Sequence, residues 1–171
     1  TDQVADLVED INQLSCSEDN HFLYVSELFV YLKKYLHALV EDTPHGLSKQ
    51  MNKMLISFHE PDNPINQVLY FTLGTGDYEL VEFFIEKYCS SNFPSKFFDY
   101  KGEEIRIYPM VDGRFLAVYF TSDYLVVSFQ KRLIERVIDA RREKKTLKHQ
   151  PAFRSMYAGK RTNVAATVYV R

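Results

Sequence analysis

The sequence contains no tryptophan, and only two of its 171 residues are cysteines, Cys16 and Cys89. No C-x-x-C pair or Cys/His spacing surrounds them, so they give no metal-binding pattern; they fit either a buried pair of thiols or one disulfide. Glycine and proline are also scarce, at six residues each, which argues against a disordered chain. No apolar run approaches the roughly 18–20 residues of a membrane-spanning helix. We therefore expect any export signal or membrane anchor to lie outside this sequence.

Aromatic and apolar residues are abundant instead. The chain holds 13 Phe and 12 Tyr, and 46% of its residues are hydrophobic against 26% charged. Phe and Tyr favour the pleated, half-buried surfaces of sheets. A chain of this length buries a sizeable core, so we expect residues 1–171 to form one domain.

The net charge of −2 conceals an asymmetry along the chain. Residues 131–171 hold 12 Lys/Arg and 3 acids, a net of +9, whereas residues 1–130 hold 9 Lys/Arg and 20 acids, a net of −11. Such a division indicates either an anionic partner for the C-terminal part or docking of the two halves on each other.

Apolar periodicity divides the chain into amphipathic helices and short strands. Helices are predicted over residues 3–14, from residue 26 to the turn at 43–46, from residue 77 to the turn at 90–94, and over 130–143 and 151–157. Strands are predicted over residues 22–25, 51–59, 67–73, 103–110, 115–121, 124–129 and 163–170. Asp112 and Gly113 predict a hairpin turn. The strands at 115–121 and 124–129 are apolar on both faces, which indicates a central position in the sheet.

These elements predict an α+β fold with an antiparallel-rich sheet of about six or seven strands and helices mainly on one face. Strands run directly into helices near residues 25, 75 and 130, which suggests strand–helix repeats. The chain ends also resemble one another, since Leu23-Tyr24-Val25 and Val168-Tyr169-Val170 each follow a short helix and a turn. We interpret this as a repeat with a new copy starting near residue 163 in a longer protein. Chance similarity of two strands is the alternative.

Several segments carry a recognisable pattern. It consists of a Lys-Gly-x-x-Ile strand, an aromatic strand with small residues, a Tyr-Leu-Val strand, a helix ending in Ile-Asp-Ala, a Thr-Leu linker and a Pro-Ala-Phe segment. The corresponding residues are Lys101-Gly-Glu-Glu-Ile105, Phe115-Leu-Ala-Val-Tyr119, Tyr124-Leu-Val-Val127, Val137-Ile-Asp-Ala140, Thr146-Leu147 and Pro151-Ala-Phe153. Residues 22–28 add a strand-to-helix opening.

In this pattern the chain resembles a family of bacterial extracytoplasmic proteins of unknown function that is common in Bacteroidetes. The resemblance covers about two thirds of the chain, and every matched residue has a packing or turn role. It implies export, anchoring by an N-terminal membrane helix or lipid, and repeated α+β domains. It implies no activity, substrate or catalytic residue.

No residue pattern supports a catalytic, cofactor or metal site. Gly74-Thr-Gly-Asp77 separates a strand from a helix, but it lacks the dinucleotide fingerprint and a P-loop lysine, and Asp77 suits a helix cap. His59, Glu60 and Asp62 form the one local cluster of metal-ligand types, and a charged hairpin end explains them. We therefore expect no cofactor, and a function other than catalysis.

The candidate functional residues are basic and lie within residues 131–161. Lysines and arginines decorate the exposed side of the helix at 130–143 and the segment after it, and such a surface attracts phosphates of lipids or polymers. The six candidates for an anion-binding face are Lys131, Arg132, Arg136, Arg142, Lys145 and Arg154. The alternative is a solvated surface that faces the acidic half of this domain or a neighbouring repeat.

Together these features predict a non-enzymatic binding or scaffolding module of the bacterial cell envelope, extracytoplasmic and anchored in the full-length protein. Its expected partner is an envelope protein or an anionic polymer or lipid. Nucleic acid is not expected, because the basic helix carries no aromatic residue for base stacking. The alternative function is an envelope enzyme or binder that acts on an anionic ligand through the same basic face.

Overall fold

A computed structural model of the chain describes residues 54–59, 63, 65–74, 77–89 and 93–158. The helices predicted over 3–14 and from residue 26, and the strands predicted over 22–25 and 163–170, lie outside the described residues. The same is true of the similarity between the chain ends that suggested a repeat, so the repeat stays a prediction.

Six strands form one open antiparallel sheet in the described part of the chain. They are β1 (Met54–Phe58), β2 (Gln67–Thr72), β3 (Lys96–Tyr100), β4 (Glu103–Pro109), β5 (Phe115–Phe120) and β6 (Tyr124–Ser128). The strand order is β1-β2-β6-β5-β4-β3, so β6 returns to pair with β2, and Leu69 lies opposite Val127. β5 and β6 are central, as their apolar sequences predicted, and the α+β fold class is confirmed.

Three α-helices accompany the sheet among the described residues. They are α1 (Asp77–Phe84), α2 (Lys131–Arg142) and α3 (Pro151–Ala158). α1 continues into a π-helical stretch at Ile85–Cys89, and a 3-10 turn at Leu147–His149 precedes α3. All three were predicted from the sequence.

One face of the sheet packs against α2. Side chains from β2, β4, β5 and β6 form a buried core with the inner side of this helix, because alternate residues of a strand point to the same face. The core consists of Val68, Ile105, Ala117, Tyr119, Val126, Leu133, Ile134 and Ile138. This cluster fixes which side of α2 is turned to solvent.

The opposite face of the sheet meets α1. The ring of Tyr78 on α1 lies 4.5 Å from the ring of Phe120 on β5. Arg106 on β4 forms an ion pair with Glu82 of α1, and its guanidinium lies 5.1 Å from the ring centroid of Phe97 on β3. Neighbouring residues of a strand point to opposite faces, so each face of the sheet carries a helix. The α+β class holds, but α1 and α2 lie on both faces of the sheet, whereas the sequence predicted helices mainly on one face.

Two tight turns connect β3, β4 and β5. Lys101 and Gly102 join β3 to β4 with φ values of 56° and 78°, and a two-residue hairpin with both φ values positive is a favoured connection of antiparallel strands. Between β4 and β5 the amide of Gly113 donates to the carbonyl of Met110 at 3.0 Å, and Gly113 has a φ of 84°. The hairpin turn predicted at Asp112 and Gly113 is confirmed.

β3 was not predicted from the sequence. It is the edge strand beside β4, and four of its five residues are exposed. An edge strand exposed on both faces lacks the alternation of buried and exposed positions from which a strand is recognised. The Lys-Gly turn that follows was the available signal.

No helix among the described residues is long and apolar enough to cross a bilayer.

Candidate functional site

The candidate site is the segment of residues 131–154, called here the basic segment. It begins directly after β6, where the hydroxyl of Ser128 donates to the carbonyl of Gln67 at 2.6 Å and accepts from the amide of Gln130 at 3.1 Å. Ser128 is fully buried, so these two bonds fix the chain at the point where it leaves the sheet. The start of α2 is thereby positioned over the sheet.

The buried side of α2 determines which of its residues are exposed to solvent. Leu133, Ile134 and Ile138 are buried at 0–1% exposure, and their three- and four-residue spacing turns one stripe of the helix to the core. Arg132 and Arg136 lie on the exposed side, together with Lys131 and Arg142. Val137, on the same side of the helix, is partly buried.

The end of α2 is tied to the sheet by a polar cluster. Arg141 donates to the hydroxyl of Tyr119 on β5, and this hydroxyl donates to Glu103 Oε2 on β4 at 3.0 Å. Arg141 Nη1 also lies 3.7 Å from Glu103 Oε1. Burial and the hydrogen bond to Glu103 raise the pKa of Tyr119 to about 12, against the opposing charge of Arg141. Tyr119 is therefore held as a neutral phenol.

A second cluster joins α2 to the turn between β3 and β4. Asp139 accepts from Lys101 Nζ at 2.6 Å and from the hydroxyl of Tyr100 at 3.1 Å. Arg142 donates to the carbonyl of Lys101, so the turn is held by two residues of one helix. The hydrogen bond from Lys101 lowers the pKa of Asp139 and raises that of Lys101. Both groups keep their ordinary charges at neutral pH.

Three further cations of the basic segment have local partners. Lys131 forms an ion pair with Glu135, and its Nζ lies 5.6 Å from the ring centroid of Phe98. Arg132 Nη2 donates to Asn66 Oδ1 at 3.0 Å. Lys145 Nζ lies 2.6 Å from Glu143 Oε2.

Four cations of the basic segment differ from these, because they have no such local partner among the described residues. Arg136, Lys144, Lys148 and Arg154 are exposed, and none of them has an ion pair or side-chain hydrogen bond with another described residue. Lys144 has a φ of 54° directly after α2, and Lys148 lies in the 3-10 turn. We call these four the unpaired cations.

The structure therefore divides the six predicted site residues. Arg142 holds the β3–β4 turn, Lys131, Arg132 and Lys145 have local partners, and Arg136 and Arg154 belong to the unpaired cations. The six lie along α2, the linker after it and α3. An open depression of about 640 Å³ lies elsewhere, between the start of α1 and the β5–β6 turn; Leu73, Gly74, Tyr78, Phe120, Thr121, Ser122 and Asp123 line it.

The two other segments considered as sites, residues 59–62 and 74–77, lie partly outside the described residues. Glu60 and Asp62 belong to those that the structure leaves out, and the imidazole of His59 shares a hydrogen bond of 3.0 Å with Ser57. In the described part of the chain, no three His, Cys, Asp or Glu residues are grouped so that they could hold a metal ion. Thr75 and Gly76 of the glycine-rich segment also lie outside it.

Sequence reasoning missed the two polar clusters that anchor α2. Tyr119 lies 16 residues from Glu103 and 22 from Arg141, and Tyr100 lies 39 residues from Asp139. The strand register and the crossing of α2 bring these residues together. The Tyr at the end of a buried strand was the available signal, since a buried phenol needs a hydrogen-bond partner.

Comparison with known proteins identifies a family. The model of a family described as proteins of unknown function, DUF3352, matches residues 48–171. No curated protein and no solved structure matches the chain.

Proposed function

We propose that this chain, which belongs to the DUF3352 family of proteins of unknown function, is a non-enzymatic binding module of the bacterial cell envelope. In this proposal it binds an anionic envelope polymer through the exposed cations of the basic segment. In this proposal the protein is extracytoplasmic and anchored to the envelope. The resemblance of the Lys101–Ile105, Tyr124–Val127 and Val137–Ala140 segments to exported bacterial proteins supports this location.

The proposal is based on the difference between the cations that have local partners and the unpaired cations. Residues 131–158 contain nine Lys/Arg and three acids, and all three acids lie within ion-pairing distance of a lysine. The unpaired cations Arg136, Lys144, Lys148 and Arg154 thus leave a positive field on the surface. A polyanion releases its condensed counterions when it binds such a surface, so its binding depends strongly on salt.

The ionisation of the two groups that anchor α2, Tyr119 and Asp139, favours binding over acid–base catalysis. A general acid or base has a pKa near the working pH. Tyr119 is shifted the other way, to a pKa of about 12, and the pKa of Asp139 is lowered. Both groups are therefore held in one protonation state at neutral pH, as expected of residues that anchor a helix.

The alternative is an envelope enzyme that acts on an anionic ligand through the same surface. It requires a cleft in which a titratable group lies beside the basic segment. The depression between α1 and the β5–β6 turn is lined by residues of the loop before α1, of α1 itself, and of β5 and the turn after it, so it does not favour this alternative.

A salt gradient on an immobilised polyphosphate matrix tests the proposal. The variant R136Q/K144Q/K148Q/R154Q removes the unpaired cations without removing a described side-chain contact. The control K49Q/K53Q/K87Q/K96Q changes the net charge equally outside the basic segment. We expect the wild type and the control to be retained and the first variant to elute at markedly lower salt. Equal elution of the two variants would contradict the proposal. Retention on anionic lipid vesicles but not on polyphosphate would identify a lipid surface instead.

A further inference from the structure

The exposed side of α1 differs chemically from that of α2. Residues 77–89, which comprise α1 and its π-helical continuation, contain four acids and one lysine, a net of −3. One of the acids, Glu82, pairs with Arg106 on the sheet, and the lysine, Lys87, has its Nζ 5.8 Å from the ring centroid of Phe83. Glu79 and Glu86 are exposed, and between them the side chain of Phe83 is 63% exposed. The charge of Glu79 and Glu86 favours a basic partner, and Phe83 adds apolar area to such a contact.

The exposed side of α2 carries the opposite charge. Residues 131–142 contain five Lys/Arg and two acids, a net of +3. Arg132 and Arg136 are exposed one helical turn apart. The methylene groups of arginine can cover an aromatic ring while the guanidinium meets a carboxylate, so this side suits Phe83 and its neighbouring glutamates.

The two helices cannot meet within one molecule. Ile134 and Ile138 of α2 pack with Val68 and Ala117 on one face of the sheet, whereas Tyr78 of α1 contacts Phe120 on the other. The sheet therefore separates the acidic side from the basic side. Two copies placed face to back would bring α1 of one copy against α2 of the next.

From this arrangement we infer that the chain associates head to tail with a second copy of itself. The side of α1 that bears Glu79, Phe83 and Glu86 docks on the side of α2 that bears Arg132 and Arg136. This inference extends the proposed function, because it names an acidic protein surface as a partner of the basic segment. The two contact surfaces differ, so the association is heterologous and repeats from copy to copy.

The expected contact is weak and depends on charge. A single helix-to-helix contact falls in the range of small, transient interfaces, below roughly 1,200 Å² in total. Complementary rim charges mainly direct such an encounter and lose their effect as salt screens them. Linking copies in one polypeptide would raise the local concentration and strengthen the contact without new interactions.

NMR translational diffusion of the whole chain tests self-association. At low salt, with protein increased to about 1 mM, a concentration at which millimolar contacts are populated, we expect diffusion to slow with concentration. Added salt of about 0.5 M should restore monomer diffusion. A chain that diffuses as a monomer throughout at low salt would overturn the inference.

Charge-reversal variants identify the surfaces. E79K/E86K and R132E/R136E should each remain monomeric, because like charges then face one another across the contact. An equimolar mixture of the two variants should associate again, because each supplies the charges that the other has reversed. R136E alone keeps the Arg132–Asn66 bond and should weaken association in part. It therefore tests the contact even if loss of that bond in R132E/R136E disturbs the fold. Association that survives both reversals would overturn the inference.

Polyphosphate retention of the same variants separates this inference from the proposed function. E79K/E86K should lose self-association and keep its retention. A wild type that is retained but monomeric would contradict the inference alone. A wild type that associates through these surfaces but is not retained would contradict the proposed polymer partner alone.

Discussion

Arg141 on α2 donates a hydrogen bond to the hydroxyl of Tyr119 on β5, and this hydroxyl donates to Glu103 on β4. One buried oxygen therefore connects a helix to two strands. The connection also explains why Arg141 is not part of the proposed binding surface. The guanidinium of Arg141 contacts Tyr119 and Glu103 of the same domain, whereas Arg136, five residues earlier, is exposed and has no such contact.

Removal of this oxygen should destabilise the domain. We expect Tyr119→Phe to lower the free energy of unfolding by about 1–3 kcal/mol, because Glu103 and Arg141 both lose a hydrogen-bond partner. Urea denaturation followed by circular dichroism measures the change. Tyr124→Phe is the matched control, since no hydrogen bond of its hydroxyl is described, and it should change stability by less than about 0.5 kcal/mol. Equal losses in both variants would contradict the anchoring role.

The raised pKa of Tyr119 predicts a loss of stability in base. Folding favours the neutral phenol, whose pKa rises from 10.0 to about 12. The stabilisation is thus fully present below pH 10 and is lost as the pH rises from 10 towards 12. Thermal unfolding midpoints across this window should fall less steeply for Tyr119→Phe than for wild type. Parallel profiles would show that Tyr119 titrates normally in the folded chain.

Asp139 should control the β3–β4 turn. In Asp139→Asn the ion pair with Lys101 is lost and the hydrogen bond from Tyr100 is weakened, so we expect faster amide exchange at residues 100–103 with unchanged exchange in β5 and β6. The pKa of Asp139 is lowered, so its contribution is present above its ordinary value of 3.8 and is lost as the pH falls through the lower folded-state value. Hydrogen exchange by NMR at pH 6 measures the effect. Asp123→Asn is the control and should leave the turn unchanged.

The core contact of α2 can be tested independently of charge. Ile134 is fully buried against the sheet. Ile134→Ala should cost about 2–5 kcal/mol through lost burial and a cavity. Arg136→Ala, half a turn away on the exposed side, should stay within about 0.5 kcal/mol of wild type. A larger loss of unfolding free energy in Arg136→Ala would mean that Arg136 stabilises the fold and is not available for a partner.

The elements with the most buried residues were all predicted from the sequence. β5, β6 and α2 were predicted because their apolar residues follow the periods of buried strands and amphipathic helices. β3 was missed because its residues are exposed on both sides of a sheet edge, so no burial pattern marks it. The order of the strands, and in particular the pairing of β2 with β6, depends on contacts between distant residues that local patterns do not encode.

The same limit applies to the candidate site. The sequence indicated that residues 131–161 are basic, but it did not distinguish the cations that bind within the domain from those that do not. Arg142 and Arg136 look equivalent on a helical projection, since both lie on the exposed side. Arg142 nevertheless contacts the carbonyl of Lys101, because the β3–β4 turn reaches the end of α2. Tertiary contacts thus select which cations remain available.

An amide chemical-shift titration of the ¹⁵N-labelled chain with soluble polyphosphate tests whether the unpaired cations bind a polyanion. We expect shifts concentrated at Arg136, Lys144, Lys148 and Arg154 and their neighbours, weakened by salt and absent from residues 77–89. No saturable shifts, or shifts concentrated outside residues 131–158, would contradict the proposed binding.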